Sequence, residues 1–278
     1  MYRNTPTTHV LTEKLVVKIL QPISSWRMEM DRLKAHVEQR VPPRSLDISD
    51  AVVGYAQQLE FARFVEPQIG SNPHYFKSVL SRYIEQIESC SEETSDEVYE
   101  LLVDPVVLNS RELAPDVAEV VKYHVGGFSR ADDCVMKVEE TPRLISGVNT
   151  TGLRTWEAAL FLANFINNRD DDGEMRALFK DKVVLELGCG TGLLGLSLAK
   201  YGLVRRMIMT DGSTAVFEHN RKLVELNGLD TSAAVSWQQL VWGDDAFCIK
   251  EKVDVVVVAQ AFQRHVASEP PESTARSN

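Results

Sequence analysis

The chain is poor in cysteine, short of positive charge and without any long apolar run. Its four cysteines stand far apart, at Cys90, Cys134, Cys189 and Cys248. No pair has disulfide-framework or zinc-ligand spacing, so the thiols are expected to be reduced, as in a cytosolic protein. Lys and Arg number 30 against 40 Asp and Glu, a net charge of −10. A surface that follows phosphates needs the opposite balance, which makes nucleic acid a poor partner. An acidic chain suits a basic protein target instead. No stretch approaches the roughly 18 apolar residues of a membrane span. The first residues have neither a signal peptide's apolar core nor a transit peptide's arginine bias. The expectation is a soluble, cytoplasmic protein with no membrane partner. At 278 residues and 44% hydrophobic content, it can form one large domain or two modest ones.

The most informative stretch runs from Val183 to Gly195, Val-Val-Leu-Glu-Leu-Gly-Cys-Gly-Thr-Gly-Leu-Leu-Gly. Val183 to Leu187 is a short apolar run with one acid, Glu186, as expected of a buried parallel strand. Gly188, Gly190 and Gly192 follow as a tight turn, and from Leu193 the pattern turns helical up to Gly202. A glycine turn between a strand and a helix start lets a ligand lie against backbone and exposed N–H groups. This is the pattern of a nucleotide-type cofactor site.

Gly190-x-Gly192-x-x-Gly195 also fits the dinucleotide pattern, which alone is weak. Two features bear on the choice between S-adenosylmethionine and a nicotinamide dinucleotide, and the first favours S-adenosylmethionine. The glycines begin directly after Glu186-Leu187, and a carboxylate at a strand end suits a ligand that carries a sulfonium and an ammonium but no phosphate. Asp211 ends the next strand, Arg206–Thr210, where a carboxylate can accept hydrogen bonds from both ribose hydroxyls, a feature the two cofactor classes share. A purely structural glycine turn is the bland alternative. Cys189, inside the turn, is expected to be a small filler and not a nucleophile.

Residues 1–125 carry apolar residues at helical spacing over Leu11–Leu20, Ile23–Val37, Val52–Phe64, Tyr75–Ile87 and Asp96–Leu102, with prolines between. The spacing predicts a helical accessory region without strands. Two short strands are expected at Cys134–Glu139 and Arg143–Ser146, then a helix at Thr155–Ile166. The acidic Asp170-Asp-Asp-Gly173 reads as solvated linker, not as a metal site. Strand 183–187, helix 193–201, strand 206–210, helix 214–227, strand 234–240 and strand 253–259 then alternate. Such alternation means a parallel sheet with crossover helices, a Rossmann-like α/β domain over 126–259.

Gly152-Leu-Arg-Thr-Trp-Glu-Ala-Ala159 followed by Glu186-Leu-Gly-Cys-Gly-Thr-Gly-Leu-Leu-Gly195 resembles the seven-strand protein-lysine methyltransferases of the methyltransferase-like 21 group. Thr150–Leu160 is most similar to the elongation factor 2 lysine methyltransferases, the family with sequence similarity 86. Asp96-Glu-Val-Tyr-Glu-Leu-Leu102 and Gln239-Leu-Val-Trp242 resemble two further segments of that family. The resemblance covers about residues 75–259 and is strongest over 144–227.

It implies a class I methyltransferase sheet, S-adenosylmethionine as cofactor and elongation factor 2 as protein substrate. It further implies that Trp156 stands beside the cofactor and that Gly188, Cys189 and Gly190 form the cofactor loop. Trp242 would pack by the adenine, and Ala259 would be the small residue that ends the fourth strand of the sheet. An indole suits adenine stacking and a sulfonium alike, on the order of 1–2 kcal/mol when desolvated. Trp156 and Trp242 also have a plain reading as core residues.

After Ala259 the family continues with an acid, two residues and an aromatic. Here Gln260 stands in place of the acid and Phe262 one position early. Residues 260–278 are rich in Ser, Pro and Glu and are expected to be a disordered tail foreign to the family. Arg264 and His265 belong to that polar tail. The expectation is an incomplete sheet of about four strands, with the valine strand 253–258 as an open edge. A splice variant, truncated gene model or frameshifted product would account for it, and no catalytic residue is assigned. The alternatives are an inactive module that binds cofactor or partner, and a methyltransferase for another substrate.

Overall fold

The computed structural model describes residues 29–126, 135–141, 152–168, 174–229, 234–243 and 249–259. The expected helix Leu11–Leu20, the strand Arg143–Ser146, the acidic 170–173 loop, Cys134, Cys248 and the tail 260–278 all lie outside the described residues.

Residues 29–108 form a helical unit around its own core. Helices α1 (Glu29–Glu38), α2 (Tyr55–Val65), α3 (Pro73–Ser89), α4 (Asp96–Val103) and the single turn α5 (Pro105–Leu108) follow one another. Local chemistry sets their ends. Asn72 accepts the Tyr75 N–H to cap α3, Pro73 occupies its first turn, and Asp104 caps α5 in the same way through Val106 N–H. α3 turns Phe76, Val79, Leu80, Tyr83, Ile84 and Ile87 inward, the three-to-four spacing of an amphipathic helix. Phe61 and Tyr83 pack ring against ring at 4.3 Å between centroids. Gln58 is fully buried in this core and fully used. Its Nε2 donates to the Val53 and Glu93 carbonyls, and its Oε1 accepts from Ser95 N–H.

The helical reading of residues 1–125 fails at its end. Glu119–His124 is a strand, β1, paired antiparallel with β2 (Val135–Glu140). Glu119, Val121 and Tyr123 face inward on β1. The alternation is hidden in the sequence because its first inward position is a carboxylate. Val121, Tyr123 and Val125 pack into the core of the following domain, so the chain enters that domain before residue 126.

The second core belongs to an α/β unit. Its elements are α6 (Glu157–Asn167), α7 (Glu174–Phe179), β3 (Val183–Leu187), α8 (Leu193–Lys200), β4 (Arg206–Asp211), α9 (Ala215–Leu226), β5 (Val235–Gln239) and β6 (Val255–Val257). The expected alternation is present, with α7 unforeseen and β6 shorter than the expected 253–259. The sheet is parallel, in the order β5-β4-β3-β6. This is the Rossmann-like arrangement, with the first strand of the unit in the middle and the C-terminal strand ends free to carry a site. The strand period of two divides the side chains. Val184, Met207 and Met209 enter the core with α8 and α9. Val183, Leu185 and Ile208 point to the other face, where Ile249 and Val253 meet them. Among the described strands β6 is an edge, with Val256 51% exposed.

Candidate cofactor site

β3 ends at Leu187, and the chain must then turn sharply to start α8. Gly188, Gly190 and Gly192 do this with φ of 70°, 50° and 80°, left-handed values that cost a side-chain-bearing residue about 1 kcal/mol or more each. Gly192 is the N-cap position of α8. The turn is tied to β4. Cys189 N–H donates to the Thr210 carbonyl at 2.8 Å, and the Thr210 hydroxyl donates to the Glu186 carbonyl at 2.6 Å.

Asp211, at the end of β4, braces the same turn. Its carboxylate accepts Gly190 N–H at 3.1 Å and Ser213 N–H at 3.0 Å. Each oxygen keeps a further lone pair, so acceptor capacity for a diol remains. Cys189 is buried, and Asn220 Nδ2 donates to its sulfur at 3.5 Å. Burial first, then the nearby Glu186 and Asp211 charges, push its pKa well up. It is a packed thiol, not a thiolate, as a filler should be.

Glu186 does not face an open ligand surface, contrary to the sequence expectation. It is 1% exposed. The parity of β3 turns it to the face of Val184, towards α8, where a Cβ added at Gly195 would stand 2.4 Å from its Oε2. Burial raises its pKa to about 8, the Gly195 N–H acts against that, and the Asp211 charge adds to it. The acid thus sits behind the glycine turn, under the first turn of α8, where helix N–H groups favour a carboxylate.

The Trp156 segment lies across the turn. Gly152 carbonyl oxygen would be 3.6 Å from a Cβ at Gly190, and the hydroxyls of Thr155 and Thr191 are hydrogen-bonded at 2.8 Å. Thr155 N–H also donates to Glu140 Oε2 at 2.6 Å, and Tyr123 hydroxyl donates to Glu140 Oε1 at 2.7 Å. Trp156 then stands at the N-cap position of α6, half-buried, with the Arg154 guanidinium 5.5 Å from its ring centre.

Trp242 follows β5 and is 55% exposed, so it is not core. Leu240 N–H donates to the Asp211 carbonyl at 3.0 Å, which brings the Trp242 turn beside Asp211. Ala259 lies just past β6, next to β3, packed against the main core. The structure therefore gathers Gly188, Cys189, Gly190, Gly192, Asp211 and the Trp156 segment at one end of the sheet, with Trp242 and Ala259 on neighbouring strand ends and Glu186 behind. Sequence reasoning missed Thr155, Thr191 and Glu140, which join these pieces. Their partners are distant in sequence, so no local signal marks them. Among the described residues, no helix is long and apolar enough to cross a membrane.

The chain is similar to known proteins. Residues 135–267 match a family model described as lysine methyltransferase, a match that runs past Ala259. The chain is 35% identical over 180 residues to the protein-lysine N-methyltransferase EFM3 of Saccharomyces cerevisiae, covering 59% of this chain and 50% of the relative. It is 35% identical over 205 residues to EFM3 of Chaetomium thermophilum, 66% of this chain and 58% of the relative. It is also 33% identical over 162 residues to the human protein-lysine N-methyltransferase EEF2KMT, 58% and 44% respectively. The chain spans about half the length of the curated relatives it matches. Residues 135–267 are thus similar in sequence to the lysine methyltransferase family, and the described residues among them include the Rossmann-like α/β unit.

Proposed function

We propose that the chain forms part of an S-adenosylmethionine-dependent protein-lysine N-methyltransferase of the cytoplasm, and that its substrate is elongation factor 2. The observation that carries this reading is the Asp211-braced glycine turn with the Trp156 segment hydrogen-bonded across it. The residues fit the cofactor. Three left-handed glycines leave backbone open where side chains would crowd a ligand. Asp211 retains acceptor capacity for ribose hydroxyls, Trp242 offers an exposed indole face for adenine, and Trp156 stands at the turn for the sulfonium end. Ala259 adds only a methyl side chain at the neighbouring strand end. Relatives named as protein-lysine N-methyltransferases support the choice of substrate class.

When bound, S-adenosylmethionine supplies an electrophilic methyl group. The protein's part is then to hold a lysine amine in line with it and to exclude water. A lysine with pKa near 10.4 is neutral in only about 1 of 2,500 molecules at pH 7, so the amine must shed its proton as it enters. The family's acid-x-x-aromatic segment would fall at residues 260–263, outside the described residues, and no catalytic residue is assigned. Incubation with S-adenosylmethionine and elongation factor 2, read by mass spectrometry, tests the proposal. A methylated lysine supports it; methylation of a different protein only would move the substrate assignment.

A further inference from the structure

A cleft of about 540 Å³ opens between the helical unit and the α/β domain. Arg40 and Tyr75 from the helical unit form one wall, Glu119 and Tyr123 of β1 the back, and Glu140 with the Thr155–Glu157 segment the other wall. The two units thus make it together, and its far wall is the segment that is hydrogen-bonded to the glycine turn through Thr155 and Thr191.

Its charge is uneven. Four carboxylates line it, Glu112, Glu119, Glu140 and Glu157, against two guanidiniums, Arg40 and Arg154. Arg40 is already committed. It stacks 5.2 Å from the Tyr75 ring centre and 5.0 Å from that of Phe76, donates to Ser71 Oγ and the Val37 carbonyl, and pairs with Glu119 at 3.7 Å. Glu140 is 4% exposed, and the two hydrogen bonds to its carboxylate come from neutral donors, Tyr123 hydroxyl and Thr155 N–H. Glu112 and Glu157 are exposed at the rim. With Arg40 and Glu119 cancelling, Arg154 faces three carboxyl groups; burial pushes the pKa of Glu140 up, so the exposed rim pair Glu112 and Glu157 carries the negative charge. Pro42, Tyr75, Trp156 and Leu160 give the lining an apolar component as well, which suits the methylene stem of a long cationic side chain.

We infer that this cleft takes a basic, lysine-bearing segment of the protein substrate and leads it to the glycine turn. The inference rests on the methyltransferase reading for its direction, and on the charge and position of the cleft for its occupant. It gives the helical unit a role in substrate selection, since half of the cleft is built from it.

A fluorescein-labelled octalysine peptide is the probe, with octaglutamate as its counterpart, read by anisotropy on the full chain. Rim charge reversal by Glu112→Lys with Glu157→Lys should weaken octalysine by about tenfold or more at low salt. The control Glu97→Lys with Glu100→Lys reverses two exposed charges on α4 outside the cleft, and should change it less than about threefold. Circular dichroism and thermal melting should be alike in all three proteins, which shows that they fold. Equal loss of octalysine binding in both double variants, or none in the rim variant, would overturn the inference, as would tighter binding of octaglutamate. The peptide measurement does not depend on turnover. A chain that binds octalysine in this pattern but leaves elongation factor 2 unmethylated would keep the cleft and discard the substrate assignment.

Discussion

The carboxylate of Asp211 accepts the backbone N–H of Gly190 at 3.1 Å. A residue at the end of one strand therefore fixes the turn that follows its neighbour, and does so with the group proposed to bind the cofactor ribose. On that proposal, positioning and binding are joined in one side chain.

Asp211→Ala should accordingly do two things. Loss of the ribose acceptor should weaken S-adenosylmethionine by about 1.5–3 kcal/mol, roughly 10- to 150-fold. Loss of its bonds to Gly190 and Ser213 should also lower stability by about 1–2 kcal/mol. Calorimetric titration and urea unfolding measure the two separately. An unchanged dissociation constant would place the ribose elsewhere.

Glu186 should make stability depend on pH in an unusual direction. Its pKa rises from 4.5 in the reference state to about 8 when folded, chiefly through burial. The folded state then holds a proton that the unfolded state releases, so folding is penalised increasingly as pH rises from about 4.5 to 8 and fully above that. Glu186→Gln removes this penalty, on the order of several kcal/mol at pH 8–9. Urea midpoints of parent and variant should converge near pH 4.5 and separate towards pH 9, with the variant more stable. A constant difference across that range would mean that Glu186 is ionised in the folded chain.

Gly195 is a test of the same contact from the other side. Gly195→Ala places a Cβ 2.4 Å from Glu186 Oε2 and 3.0 Å from Met207 Cε. Overpacking of this kind costs about 1–3 kcal/mol, and thermal melting should fall by several degrees. Part of the loss should return in Gly195→Ala combined with Glu186→Ala, which removes the clashing carboxylate. Additive loss in the double variant would contradict the contact.

The helical unit has its own sensitive point. Gln58→Leu leaves the Val53 and Glu93 carbonyls and the Ser95 N–H without the partner that Gln58 now provides. Buried backbone groups stripped of partners cost about 1–3 kcal/mol each, so the unit should open well before the α/β domain. Hydrogen exchange resolves this, with loss of protection expected in α2–α4 and retained protection in β3 and β4.

Much of the α/β domain is legible in the sequence because its signals are local. The glycine spacing from Gly188 to Gly192 marks a turn wherever it occurs, and the apolar runs of β3 and β4 are short and bounded. Glu186 was legible only in part. Its neighbourhood to the glycines is a sequence fact, but the direction of its side chain follows from the parity of β3, which sends it towards α8. β1 was not legible, since Glu119 occupies an inward position and its partner, Asn72, is 47 residues away. Glu140 escaped for the same reason, as Tyr123 and Thr155 reach it only through the fold. The site's local half could thus be read from spacing, and its long-range half could not.

The central claim is that the glycine turn holds S-adenosylmethionine, and calorimetric titration of the parent and of Gly190→Val tests it most directly. Gly190 has φ of 50°, a conformation that a β-branched residue adopts only under strain. Its N–H is the group held by Asp211. The account predicts one binding event per chain in the parent and none measurable in Gly190→Val, with circular dichroism alike in both. Equal binding by the two proteins, or no binding by a folded parent, would contradict it.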